Sequence, residues 1–153
     1  MIDSATLKQT LFDHCRQYVE QRIETAKTAM EAAQSAANEE SKSSAGDKYE
    51  TGRAMAQIER DRHAQQLAEA RKLEQELARI DAGKIHSIVQ PGSLVLTSQG
   101  NYFIAISAGK MTVDRTDYFA VSAASPIGVR LNHAKAGDEV VFNDKPIRII
   151  SVG

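Results

Sequence analysis

No proline occurs before residue 91, and from residue 12 to residue 37 apolar side chains recur at helical intervals without a break. Phe12, Cys15, Val19, Ile23, Ala26, Met30, Ala33 and Ala37 are spaced 3, 4, 4, 3, 4, 3 and 4, the period that keeps one stripe on one helix face. This pattern commits the start of the chain to a long amphipathic helix with Ser4 as its expected N-cap and an end near Glu40. Leu7, Leu11 and Tyr18 widen the apolar face early on. The alanines later in the stripe allow a second helix to approach closely.

That second helix is expected after residue 52. Met55 and Ile58 open it, Leu67, Ala70, Leu73, Leu77 and Ile80 continue it, and Gly83 stops it. Its middle, ERDRHAQQ, is polar and makes the weakest part of the seam. Helices of roughly 28–40 residues, at about 1.5 Å per residue, form rods on the order of 40–55 Å. A short joint containing Ser and Gly makes them antiparallel and puts the stretch SSAGDKYETG, residues 43–52, at the far end. Asp47 and Glu50 there fit a capping box, Asp at the N-cap and Glu at N3. They are equally a pair of carboxylates that a rod could deliver to a partner, and a cap alone does not require the rod's length.

Beyond residue 83 the composition changes. All three prolines lie there, and Val, Ile, Phe and Tyr become frequent. SLVLTS (93–98) and NYFIAIS (101–107), joined through Gln99-Gly100, read as a hairpin. DYFAVSA (117–123), DEVVFN (138–143) and PIRIISV (146–152) read as further strands, with Asp144-Lys145 as a tight turn. Ser125-Pro126 can begin a short helix, Ser as cap and Pro in the first position. The expected fold is α+β: an antiparallel helical hairpin over residues 1–83, then a small antiparallel sheet with one short helix over residues 84–153.

Charge narrows the function classes. Residues 1–83 carry 12 Lys and Arg against 15 Asp and Glu, and residues 84–153 carry 7 against 5. Neither half has the basic excess that drives nonspecific nucleic-acid binding. No run reaches the roughly 18–20 apolar residues of a membrane span, and the N-terminus has no apolar signal core. The lone Cys15 excludes an internal disulfide and suits a reducing compartment, so the expected location is the cytoplasm. Cys15 lies on the helical stripe and reads as core. His14, His63, His86 and His133 lack metal-ligand spacing, and no glycine-rich phosphate loop occurs.

SPIGVRLNHAKAGDEVVFNDKPIRIISV, residues 125–152, resembles the C-terminal signature of the Gre-type bacterial transcript cleavage factors. Those factors join a coiled-coil hairpin to an FKBP-like domain in this order and at nearly this length. They carry a Gly-Asp-x-x-Glu tip, which Gly46-Asp47-Lys48-Tyr49-Glu50 matches in residue type and spacing. The resemblance implies a factor that is not an enzyme by itself. It implies that the factor binds bacterial RNA polymerase, passes its hairpin into the secondary channel and promotes hydrolysis of backtracked RNA, reaching the RNA 3′ end only indirectly; because the apolar stripes are used up within one hairpin, a monomer is expected. It implies Asp47 and Glu50 as catalytic residues that share a Mg²⁺ ion with the polymerase site, with Gly46, Lys48 and Tyr49 supporting the tip. It implies partner contacts through Ser125, Pro126, Ile127 and Gly128, by way of exposed apolar residues around Ile127 and Val129. The aromatic pocket of a prolyl isomerase is not expected. The family usually continues Asn-Ala-Glu-Tyr after the Glu, whereas this chain has Thr51-Gly52-Arg53-Ala54, and the segment AGKMTVDRTD looks trimmed. A non-catalytic regulator of the same channel, and an adaptor unrelated to polymerase, stand as alternatives.

Overall fold

A computed structural model describes residues 3–42 and 47–153, with the side chains of residues 40–50 outside the description. The architecture is α+β: a long N-terminal helical hairpin precedes a six-stranded, mostly antiparallel sheet with one short helix. Helix α1 runs Ser4–Lys42 and α2 runs Asp47–Ala78. By contacts the chain forms two compact units, residues 19–74 and residues 1–18 with 75–153.

Residues 19–74 are the hairpin proper. Val19, Ala26 and Ala37 of α1 and Ala70 of α2 are buried, and Ile23, Met30 and Ala33 are half-buried. The second helix meets this stripe with a different row from the expected one. Gly52, Ala56, Arg60, His63, Leu67 and Ala70 are the inward positions, at intervals of 4, 4, 3, 4 and 3, whereas Met55 and Ile58 are 63% and 67% exposed. Stepping back from Ala70 and Leu67 by helical intervals reaches 63, 60, 56 and 52, so the phase set by the apolar end turns Met55 and Ile58 outward. Gly52, Ala56 and Ala70 in this row are small, the residue type that permits a close approach. Met55→Gln with Ile58→Gln should therefore shift unfolding free energy by no more than about 0.5 kcal/mol. A urea titration showing a loss above about 2 kcal/mol would put them in the seam.

In the other unit, α1 begins with a cap from Asp3 rather than Ser4. Asp3 Oδ1 accepts the Thr6 N–H at 2.7 Å, and the Leu7 N–H donates to the Asp3 carbonyl at 2.9 Å. This bond holds the Asp3 carboxyl below its ordinary pKa. Helix α2 stops before Gly83. Its last turn tightens, with Arg79 N–H to Glu76 O and Ile80 N–H to Leu77 O, and Gly83 belongs to a following turn in which its N–H donates to Asp81 Oδ1 at 2.9 Å.

The strands are β1 (Leu94–Thr97), β2 (Gly100–Ala105), β3 (Gly109–Val113), β4 (Thr116–Ser122), β5 (Glu139–Phe142) and β6 (Lys145–Val152), in the order β3-β4-β2-β1-β6-β5. Four features depart from expectation. The β2–β4 pair is parallel, Tyr102 opposite Phe119 and Ala105 opposite Ser122. Strand β3 fills the segment that looked trimmed and turns into β4 through Asp114 and Arg115, both at positive φ. Positive φ at both central residues is the hairpin geometry that matches strand twist. The β5–β6 turn is likewise Asn143-Asp144, one residue earlier than expected, and Ser98-Gln99 rather than Gln99-Gly100 joins β1 to β2.

Helix α3 (Pro126–Leu131) lies over one sheet face, where Val89, Val95, Ile104, Ile127, Leu131, Ala134, Ile147 and Ile149 form a core. Alternation puts Leu94, Phe103, Ala105, Met111, Tyr118 and Ala120 on the opposite face, all buried. The end of α2 meets that face: Glu76, Arg79 and Ile80 share a cavity of about 300 Å³ with Pro91, Ala105 and Ser122–Ala124.

Candidate functional site

The acidic pair stands at the start of α2. Gly46 lies outside the described residues. The backbone of Asp47, Lys48, Tyr49 and Glu50 forms the first turn of that helix, and the side chains of all four are outside the description. Helical register alone makes positions 47 and 50 neighbours, since residues three apart have Cβ atoms about 5–6 Å from each other. Thr51 and Arg53, which follow, are exposed. The joint thus sits between helices of 39 and 32 residues, about 58 and 48 Å long at 1.5 Å per residue. Further along α2 the charges pair locally, Arg62 with Glu59 at 2.7 Å and the half-buried Arg60 with Asp61 at 3.3 Å.

Ser125, Pro126, Ile127 and Gly128 serve the fold. Ser125 Oγ accepts the Gly128 N–H at 3.1 Å and donates to the Ser122 carbonyl at 2.7 Å. Ile127 is 8% exposed and belongs to the core, so it is not the exposed apolar residue that the sequence suggested. Its alternation with Val129, which is 61% exposed, follows from helical phase: Ile127 and Leu131 face the sheet and Val129 faces away. Pro126 is exposed beside it.

Cys15 is fully buried, and burial pushes its thiol up to about 12. It should resist thiol reagents in the native protein and react stoichiometrically after unfolding in urea. Rapid native labelling would take it out of the core. No group of three or more His, Cys, Asp or Glu able to hold a metal ion occurs among the described residues.

One cluster went unnoticed in the sequence. Lys8 is completely buried, its Nζ donating to the Lys84 carbonyl. Asp81 and the 7%-exposed His86 lie near it. Burial lowers the Lys8 pKa, opposed by Asp81. Burial, Lys8 and Lys84 lower that of His86, again against Asp81. The signal was spacing: Lys8 stands seven residues before Cys15 and four before Phe12, so it continues the apolar stripe backward. No protein-family model, curated protein or solved structure matches the chain.

Proposed function

We propose that the chain is a Gre-like transcription factor that inserts its hairpin into the secondary channel of bacterial RNA polymerase and stimulates hydrolysis of backtracked RNA. The observation carrying this reading is the position of Asp47 and Glu50 in the first turn of α2, at the joint between two long helices. Two carboxylates are a suitable donor set for Mg²⁺, which takes one or two protein oxygens and keeps its remaining waters. Bound there beside the polymerase's own ion, Mg²⁺ would stabilise the attacking and leaving oxygens of the displacement. Asp47 would hold that ion. Glu50 would orient the attacking water and accept its proton as the phosphorus–O3′ bond breaks, solvent supplying a proton to the departing O3′. The isolated protein would be inert, because two carboxylates alone bind Mg²⁺ weakly. Pro126 and Val129 would belong to the surface that docks the sheet module on the polymerase, and the working form would be a cytoplasmic monomer.

The test is a backtracked elongation complex carrying 3′-labelled RNA, given the protein and Mg²⁺. Release of short labelled fragments supports the reading. Thr51-Gly52-Arg53-Ala54 after the acidic pair favours a second reading, a regulator that occupies the channel without cleavage. It predicts competition with a known channel-binding factor and no fragments. Absence of both effects would remove polymerase as the partner.

A further inference from the structure

A buried lysine is an expensive anchor. A side chain of similar size and no charge would satisfy the same space without desolvating an ammonium. Lys8 nevertheless sits fully buried on α1, hydrogen-bonded to the backbone of Lys84. The segment that receives it is shaped for the purpose. Asp81 Oδ1 is engaged by the Gly83 N–H, and the Lys84 N–H returns to the Asp81 carbonyl, which fixes the turn. His86 packs over Gly92, where an added Cβ would stand 3.3 Å from His86 Nε2 and 3.4 Å from Ile80 Cγ2, at a φ of +95°. The charged groups around the imidazole are Lys8 from α1 and Lys84 and Asp81 from the turn. Two cations against one carboxylate make this a site that accepts a neutral ring and resists a third positive charge.

We propose that Lys8, Asp81, Lys84 and His86 form an acid-operated clasp, in which protonation of His86 releases the first turns of α1 from residues 81–92. Neutral His86 lets the Lys8 ammonium keep the Lys84 carbonyl and the field of Asp81. A protonated imidazole adds a second buried cation beside Lys8, and the pair separates most readily when the α1 root lifts and both charges reach water. Because α1 is one helix from Ser4 to Lys42, the clasp governs how firmly the root of that helix is held. The inference does not depend on the tip's function.

The direction follows from linkage. The imidazole is harder to protonate in the closed state than in the open one, where its pKa is ordinary, about 6.5. Closure is therefore complete above about pH 7 and weakens as pH falls through that open-state value, by up to tenfold per pH unit. The experiment is amide hydrogen exchange on the full chain at pH 7.5, 6.5 and 5.5, corrected for the intrinsic exchange rate and read at residues 4–18 and 81–92. Opening at pH 5.5 should exceed that at pH 7.5, by at most about tenfold. His86→Gln should abolish that dependence, and Lys8→Met, lacking the first cation, should weaken it while burial of the ring preserves part of it. A wild-type protein with pH-independent opening, or His86→Gln with the wild-type pH dependence intact, would overturn the proposal. If His86→Gln fails to fold, the native imidazole can be titrated by NMR. Titration near pH 6.5 with no loss of α1 protection would overturn the clasp as firmly.

Discussion

Asp47→Asn combined with Glu50→Gln is expected to reduce RNA cleavage in a backtracked complex by about 10²–10⁴-fold, to the level seen without the protein, while polymerase binding stays nearly unchanged. The amides keep size and polarity and remove the negative charges that a Mg²⁺ ion and an attacking water would need. The same pair separates chemistry from helix stability. Asp47 is the first residue of α2, where a carboxylate near the helix N-terminus is worth about 0.3–1 kcal/mol, so Asp47→Asn should lower stability by no more than that. Loss of cleavage with no larger loss of stability would make the tip chemical. Full cleavage by the double amide would take both residues out of the mechanism. The assay needs a matched polymerase, and a competition measurement with a channel-binding factor shows that the variant still reaches its site.

Periodicity carried most of the fold. The stripe from Phe12 to Ala37 and the Ser125-Pro126 start of α3 are visible in the sequence because each depends on local rules of spacing, capping and backbone φ. The phase of α2 was not. Met55 and Ile58 look like seam residues by type, but the inward row is fixed by Leu67 and Ala70, and it runs through Gly52 and Ala56, residues with no hydropathic signal of their own. Strand β3 was missed because Lys110 and Thr112 alternate with Met111 over only five residues at a sheet edge. Its turn uses Asp114 and Arg115 at positive φ, without the glycine that usually marks such a hairpin. The parallel β2–β4 pairing is a tertiary outcome that no local pattern encodes. Asp47 and Glu50 were legible as residue types at a defined spacing. The Lys8 cluster was not, because a lysine on an apolar stripe usually extends its ammonium into solvent, and it is the Lys84 carbonyl, 76 residues away, together with Asp81, that makes its burial tolerable.

Gly128→Ala should destabilise the sheet-containing unit by about 2–4 kcal/mol, and its sign is diagnostic. In an ordinary helix interior, alanine is more stable than glycine by about 1 kcal/mol, so without a steric conflict the substitution would raise the melting temperature. Here an added Cβ would stand 2.1 Å from the Ser122 carbonyl oxygen, 3.0 Å from Ser125 Oγ and 3.1 Å from the Ala123 carbonyl carbon. The carbonyl cannot simply retreat, since it accepts the Ser125 N–H at 3.1 Å and the Ser125 hydroxyl at 2.7 Å. Moving α3 instead would pull the Gly128 N–H from its Ser125 cap and lift Ile127 and Leu131 from the core over β4 and β5. The cap is worth about 1 kcal/mol and a forced repacking of this kind about 1–3. Gly137→Ala is the matched control. Its φ of +93° disfavours a side chain, but no atom lies within 4 Å of the added Cβ, so it should cost only about 1 kcal/mol through backbone strain. Urea titrations of the two variants that gave equal losses, or a gain for Gly128→Ala, would mean that the Ser122–Ser125 turn can yield and that glycine is not what lets α3 sit against the end of β4.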